Sequence, residues 1–113
     1  MKISDLQTLE GFELLQPVFQ DTVLAGVYTS DLLSDVMAHA PADGVLITIQ
    51  AHVNTVAVST LAGIRAIVLC NRRPVPANLL AAAEKEGIAI FRTADHQFEA
   101  SVRLAALMER TKA

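Results

Sequence analysis

The sequence predicts an α/β fold, a three-layer α/β/α domain with a mostly parallel sheet of about five strands. Three observations carry this. Strand-like and helix-like stretches alternate three times in the second half, over 45–62, 66–86 and 88–110. Such alternation builds parallel strands joined by crossover helices. The runs "VLITI" and "AIVL" are continuous rather than alternating, as expected of strands covered on both faces. The hydrophobic share is 52 %, mostly Ala, Val, Leu and Ile, with only 4 % aromatic. Small branched side chains suit closely layered helices and strands.

The elements follow in chain order. Residues 4–9 read as a short helix capped by Ser4, with Ile3, Leu6 and Leu9 on its apolar side. Residues 12–15 form a strand candidate ended by Pro17, and residues 23–28 a second one. Gly26 inside that run marks a bulge or a close backbone approach. A helix starts near Asp31 or Ser34, with Ser34 as its cap, and runs to Ala40, where Pro41 and Gly44 stop it. Residues 45–49 are a buried strand. Asn54 caps a helix over 55–62, and Gly63 closes it. Residues 66–69 are the next strand. A helix over 77–86 has Pro76 at its start and Gly87 past its end. Residues 88–91 are the last strand. Asp95 caps a final helix to about Arg110, with Phe98, Val102, Leu104, Leu107 and Met108 on its apolar face.

Length sets the prior at one domain over residues 1–113, long enough to bury a core without staples. Net charge is −3, and Arg72-Arg73 is the densest basic cluster. That excludes the basic footprint of a nucleic-acid binder. Residues 44–64 lack Asp, Glu, Lys and Arg, but Thr48, Gln50, His52, Asn54, Thr55, Ser59 and Thr60 interrupt the stretch. It reads as a buried strand and a buried helix, not as a membrane span. The first residues show no basic segment leading into an apolar run, so no signal peptide is expected. Cys70 is the single cysteine, which forbids an internal disulfide. The expectation is a cytoplasmic chain.

In open parallel sheets, ligands bind beyond the carboxyl ends of the strands. Polar residues collect there: Tyr28-Thr29-Ser30-Asp31, Gln50-Ala51-His52-Val53-Asn54, Cys70-Asn71-Arg72-Arg73 and Arg92-Thr93-Ala94-Asp95. The candidate ligand-binding residues are Tyr28, Thr29, Ser30, Asp31, Gln50, His52, Asn54, Asn71, Arg72 and Thr93. Helix caps explain Ser34, Asn54 and Asp95. Ser30 and Asp31 exceed what one cap requires, and they fit either a turn or a ligand contact. His52 fits either a structural histidine or a ligand group. His39 suits a helix C-terminus, and His96 reads as surface. No G-x-S-x-G elbow, P-loop, H-E-x-x-H or C-x-x-C occurs, so no catalytic residue, metal ligand or cofactor is assigned. A triad could be assembled from Ser30, His52 and Asp31 or Asp35, but nothing in the sequence shows its geometry, and a metal site from Cys70 with His52 has no ligand spacing that supports it.

The segment "DTVLAGVYTSDLLSDVM", residues 21–37, resembles the signature of the DRTGG domain family. Asp21, Gly26, Tyr28 and the run from Ser30 to Met37 match the pattern. Thr22, Ala25 and Val27 stand where the family has Arg, Thr and Gly. The likeness continues through "ITIQAHVNTVAVSTLAGIRAIVLCN" and "EKEGIAIFRT" to Phe98-Glu99. The resemblance implies a three-layer domain similar to the N-terminal domain of HPr kinase/phosphorylase. It implies an accessory module, found in larger enzymes or as small stand-alone proteins near iron-only hydrogenases. It implies no kinase activity, and the chain has no P-loop.

The leading expectation is a non-catalytic regulatory module that dimerises and binds an anionic or nucleotide-like small molecule at the strand-end rim. One rival is an assembly factor for a redox complex of the iron hydrogenase type. The other is a small hydrolase or transferase using Ser30 or His52.

Overall fold

The computed structural model describes residues 1–112. It contains a 3-10 helix (Ile3–Thr8) followed by β1 (Glu13–Gln16), β2 (Val27–Thr29), α1 (Leu33–His39) and β3 (Val45–Thr48). Then come α2 (Val53–Ala62), β4 (Ala66–Leu69), α3 (Ala77–Glu86), β5 (Ala89–Arg92) and α4 (Gln97–Arg110). The sheet order is β1-β5-β4-β3-β2. The pairs from β2 to β5 are parallel, and β1 runs antiparallel to β5 with an irregularity between Leu14 and Gln16. The expected α/β sheet of five mostly parallel strands is therefore present.

Side-chain alternation sorts the core into two layers. Val45, Ile47, Ala66, Val68 and Phe91 pack with Ile3, Leu6, Ala100, Leu104 and Leu107, beneath the 3-10 helix and α4. Leu46, Ile67, Leu69 and Ile90 pack with Val36, Val56, Leu79 and Ala83, beneath α1, α2 and α3. Every residue of β3 and β4 is buried, which accounts for their unbroken apolar sequences. The helix after β3 is buried on one side only. Thr55, Val56 and Ser59 face inward, whereas Asn54, Ala57, Thr60 and Leu61 are exposed. Among the described residues, no helix is long and apolar enough to cross a membrane.

Several local expectations need correction. The first helix is 3-10, and its start is closed by the Asp5 carboxylate, which accepts the Lys2 N–H at 2.7 Å. Ser4 does not cap it; its N–H donates to Asp21. The second strand is confined to Val27–Thr29, and Val23 makes only an isolated bridge to Lys2. Gly26 lies just before it, where a Cβ would meet Pro41 Cγ at 3.3 Å, so the close approach is the correct half of that expectation. Ser34 sits inside α1, whose flanking residue is Leu32. Asn54 sits inside α2, and His52 is the capping residue. His96, not Asp95, flanks α4, with its N–H bonded to Glu99. Ala100, Leu104 and Leu107 form the inner face of α4, while Phe98 and Val102 are exposed. Gly63 and Gly87 do close α2 and α3, at φ 77° and 69°, a conformation glycine adopts at no steric cost.

Candidate functional site

Parallel pairing brings the carboxyl ends of β2, β3, β4 and β5 to one rim, with Thr48, Leu69 and Arg92 in register. The antiparallel β1 begins there too, and its Glu13 pairs with Arg92 at 3.3 Å. The order of the parallel strands never reverses, so the rim lacks the crevice that a topological switch point opens. Any concavity must come from the loops.

The loop after β2 is tied down. Asp31 Oδ1 accepts from Thr48 Oγ1 at 2.9 Å, the Ile49 N–H at 2.9 Å and Gln97 Nε2 at 3.0 Å. One carboxylate oxygen thus joins the ends of β2 and β3 to the start of α4. Gln50 Nε2 adds a bond to the Asp31 carbonyl. Ser30 Oγ accepts the Leu32 N–H and turns the chain into α1. Ser101 Oγ donates to the Gln97 carbonyl, so in the 2.8 Å contact with Thr29 the Thr29 hydroxyl is the donor. Tyr28 lies on the opposite face of the strand, and its hydroxyl donates to Asp35 Oδ2 at 2.6 Å. His39 Nδ1 meets the other oxygen of Asp35 at 3.1 Å. The Tyr28 hydroxyl holds the Asp35 carboxyl below the usual carboxylate range, with the His39 contact adding to it. Asp35 in turn pushes the Tyr28 hydroxyl up.

The loop after β5 is equally engaged. Thr93 is buried, and its Oγ1 accepts the Asp95 N–H at 3.1 Å. Arg103 bonds Asp95 at 2.7 Å and the Glu10 carbonyl at 2.6 Å, with its guanidinium over the Phe12 ring. Cys70 lies beneath, fully buried. Burial pushes its thiol up to about 12, and Asp95 and Asp31 add to the rise. A thiol that resists ionisation is no nucleophile at neutral pH.

Between these regions the rim opens. A cavity of about 330 Å³ is lined by Ile49, Gln50, Ala51, His52, Arg73 and Pro74. Its walls are the loops after β3 and β4. In the first, the Gln50 carbonyl accepts from Thr55 Oγ1, and His52 Nδ1 accepts the Asn54 N–H at 3.0 Å. That bond assigns the neutral ring its proton on Nε2. In the second, Asn71 and Arg72 adopt left-handed backbone, at φ 62° and 47°. Their N–H groups donate to the carbonyls of Asp95 and Thr93. Such conformations are costly for an arginine and persist only where the surroundings impose them. The Arg72 and Arg73 side chains are exposed and make no ion pair among the described residues, whereas Arg65, Arg92 and Arg103 each meet a carboxylate.

Of the ten candidates, Gln50 and His52 line the cavity, and Asn71 and Arg72 lie in the loop that forms its second wall. Asn54 is exposed in the first turn of α2. Tyr28, Thr29, Ser30, Asp31 and Thr93 each make internal hydrogen bonds. Arg73 and Pro74 are lining residues that the candidate set lacks; the second guanidinium of the Arg-Arg pair was the available signal. No hydrogen bond joins Ser30 to His52, and the Nδ1 that a triad would turn to a carboxylate is filled by Asn54. Among the described residues, no group of three or more His, Cys, Asp or Glu side chains could hold a metal ion. A second depression, of about 690 Å³, includes Lys2, Ser4, Asp5 and Asp21. Its two carboxylates accept backbone N–H groups from within the same set.

No family model matches the chain. No curated protein matches it either. Among solved structures it is similar to the CBS and DRTGG domains of the regulatory region of a Clostridium perfringens pyrophosphatase, complexed with the activator diadenosine tetraphosphate. The TM-score is 0.69 at 12 % identity, over 88 % of this chain and 44 % of that one. The chain has a DRTGG-like fold. It spans less than half the length of that neighbour.

Proposed function

We propose that the chain is a non-catalytic regulatory module that senses an anionic or nucleotide-like small molecule at the strand-end rim. The carrying observation is the cavity between the loops after β3 and β4, where His52 and Arg73 line the opening and where, among the described residues, neither Arg72 nor Arg73 meets a carboxylate. A ligand that binds here would be read by two crossover loops at once, and so by the packing of α2 against α3. The fold likeness to a nucleotide-activated regulatory region supports this reading. The small-hydrolase rival is weakened by the missing Ser30–His52 contact. A thermal-shift screen against nucleotides and phosphorylated metabolites tests the proposal. A rise in Tm with at least one compound, lost in His52→Ala, is expected. No response across the panel overturns it.

The module acts as a homodimer in this proposal. Phe98 is 78 % exposed, Leu32 64 % and Val102 51 %. Leu32 and Phe98 directly follow Asp31 and Gln97, which are bonded to each other at 3.0 Å. Leu32 and Phe98 thus stand on neighbouring segments, and a contiguous exposed apolar patch there would mark a contact surface. Sedimentation at micromolar concentration should return a dimer that Phe98→Glu dissociates; a monomer would remove this part. The same patch serves the rival assembly role. A stable redox-enzyme partner recovered from native lysate, together with a silent ligand screen, would favour that rival.

A further inference from the structure

We propose that the cavity between the loops after β3 and β4 seats a single phosphomonoester of mononucleotide size, with Arg73, which lines it, as the counter-charge, Arg72 next to it in the same loop adding to the field, and the His52 Nε2–H as a neutral donor. This rests on the regulatory reading above and narrows it.

Charge decides the class. Arg72 and Arg73 are consecutive, exposed and unpaired among the described residues. Two adjacent guanidinium groups match a phosphomonoester, which carries about −1.5 to −2 near pH 7, and their planar donor forks suit its oxygens. The nearby carboxylates do not cancel them. Asp95 is bonded to Arg103 at 2.7 Å, and Asp31, though it keeps its charge, is turned toward Thr48, Ile49 and Gln97 and forms no ion pair with either arginine. His52 adds a donor without adding charge, because the Asn54 N–H occupies Nδ1. Ile49, Ala51 and Pro74 give the cavity an apolar side, which suits the body of the ligand.

Size narrows the class further. At about 330 Å³, the cavity stands at the small end of the roughly 300–1,000 Å³ range of ligand sites. It suits one phosphorylated body and is too small to enclose a dinucleoside polyphosphate. The positive φ values of Asn71 and Arg72 fix the backbone turn that carries the two arginines, so the ordering that accompanies binding falls on their side chains and not on the loop.

Amide-resolved NMR titration of the full chain at fixed ionic strength tests this, with inorganic phosphate, adenosine monophosphate and adenosine as probes. Phosphate and the monophosphate should shift amides of residues 50–54, 71–73 and 75, and adenosine should not. Arg72→Ala/Arg73→Ala should weaken monophosphate binding roughly tenfold or more while keeping a dispersed spectrum. His52→Gln, which retains a side-chain donor, should weaken it less. Equal responses to adenosine and the monophosphate, or binding unchanged in the double variant, overturn the assignment. Shifts centred on residues 28–31 overturn it but leave the rim reading standing. Silence to all three probes overturns it as well, and the wider metabolite screen then decides whether the rim reading falls with it.

Discussion

The loops after β2 and β4 leave the same rim of the same sheet, yet they dispose of their polar groups in opposite ways. After β2, Asp31 offers one oxygen to three donors drawn from two other segments, and Thr29 and Ser30 are also bonded within the molecule. After β4, the backbone is held just as firmly, through Asn71 and Arg72, but among the described residues the side chains of Arg72 and Arg73 meet no carboxylate. Polar residues at strand ends therefore fall into two kinds. Those with satisfied internal bonds hold the rim together, and those left over are available to a ligand. The Ser-Asp pair that dominates the sequence of the rim belongs to the first kind.

The most severe way to break this comparison is to remove the Asp31 carboxylate. Asp31→Ala leaves the buried Thr48 hydroxyl and the Ile49 N–H without their acceptor. It should destabilise the fold by about 2–3 kcal/mol, read as a lower midpoint in denaturant unfolding. Asp31→Asn keeps an acceptor oxygen and should lose less. A neutral Asp31→Ala would show that the tie is not structural and return this residue to the ligand candidates.

His52 stands between the two kinds, since it caps α2 and also lines the cavity. His52→Ala should cost about 1 kcal/mol through the lost cap. His52→Asp should restore stability but oppose an anion, so stability and ligand response would separate. Arg72 sharpens the other side of the comparison. Relief of its left-handed backbone in Arg72→Gly should raise stability by about 0.4–1 kcal/mol while weakening the response to phosphate. A residue that costs stability where it stands, yet is needed for ligand response, is the signature of a functional position. A destabilised Arg72→Gly would contradict that.

The fold was legible because its signal is repetitive. Continuous apolar runs marked β3, β4 and β5 to within a residue or so, and Gly63 and Gly87 marked the helix ends. The caps were not legible, because a Ser, Asn or Asp at a helix start has competing partners that only tertiary structure supplies. Asp95 is bonded to Arg103 eight residues on, and His52 took the place expected for Asn54. Apolar spacing in α4 was ambiguous for the same reason. Phe98 and Val102 lie four residues apart on an exposed side, while Ala100, Leu104 and Leu107 make the buried one. The role of Asp31 was out of reach, since its donors lie 17, 18 and 66 residues away. The rim itself could be named from sequence. Which of its polar residues are left over could not.

The weakest expected effect concerns pH and the β2 side alone. The Tyr28 hydroxyl and His39 both bond Asp35, whose carboxyl is held below its ordinary value, the Tyr28 bond being the larger cause. A carboxyl depressed by folding adds stability above its unfolded pKa and loses it as pH falls through the folded one. Tyr28 is shifted the other way, upward, chiefly by Asp35. Its contribution is present below the ordinary tyrosine value of about 10 and is lost as pH rises through the folded value. The tie should therefore hold between the carboxylate and tyrosine ranges and loosen beyond either end. Tyr28→Phe should flatten the acid limb of the stability curve, measured by thermal unfolding from pH 7 downward. The β4 loop carries no such pair, so Arg72→Ala should leave that limb unchanged. An equal change in both variants would mean that the two halves of the rim are not separable.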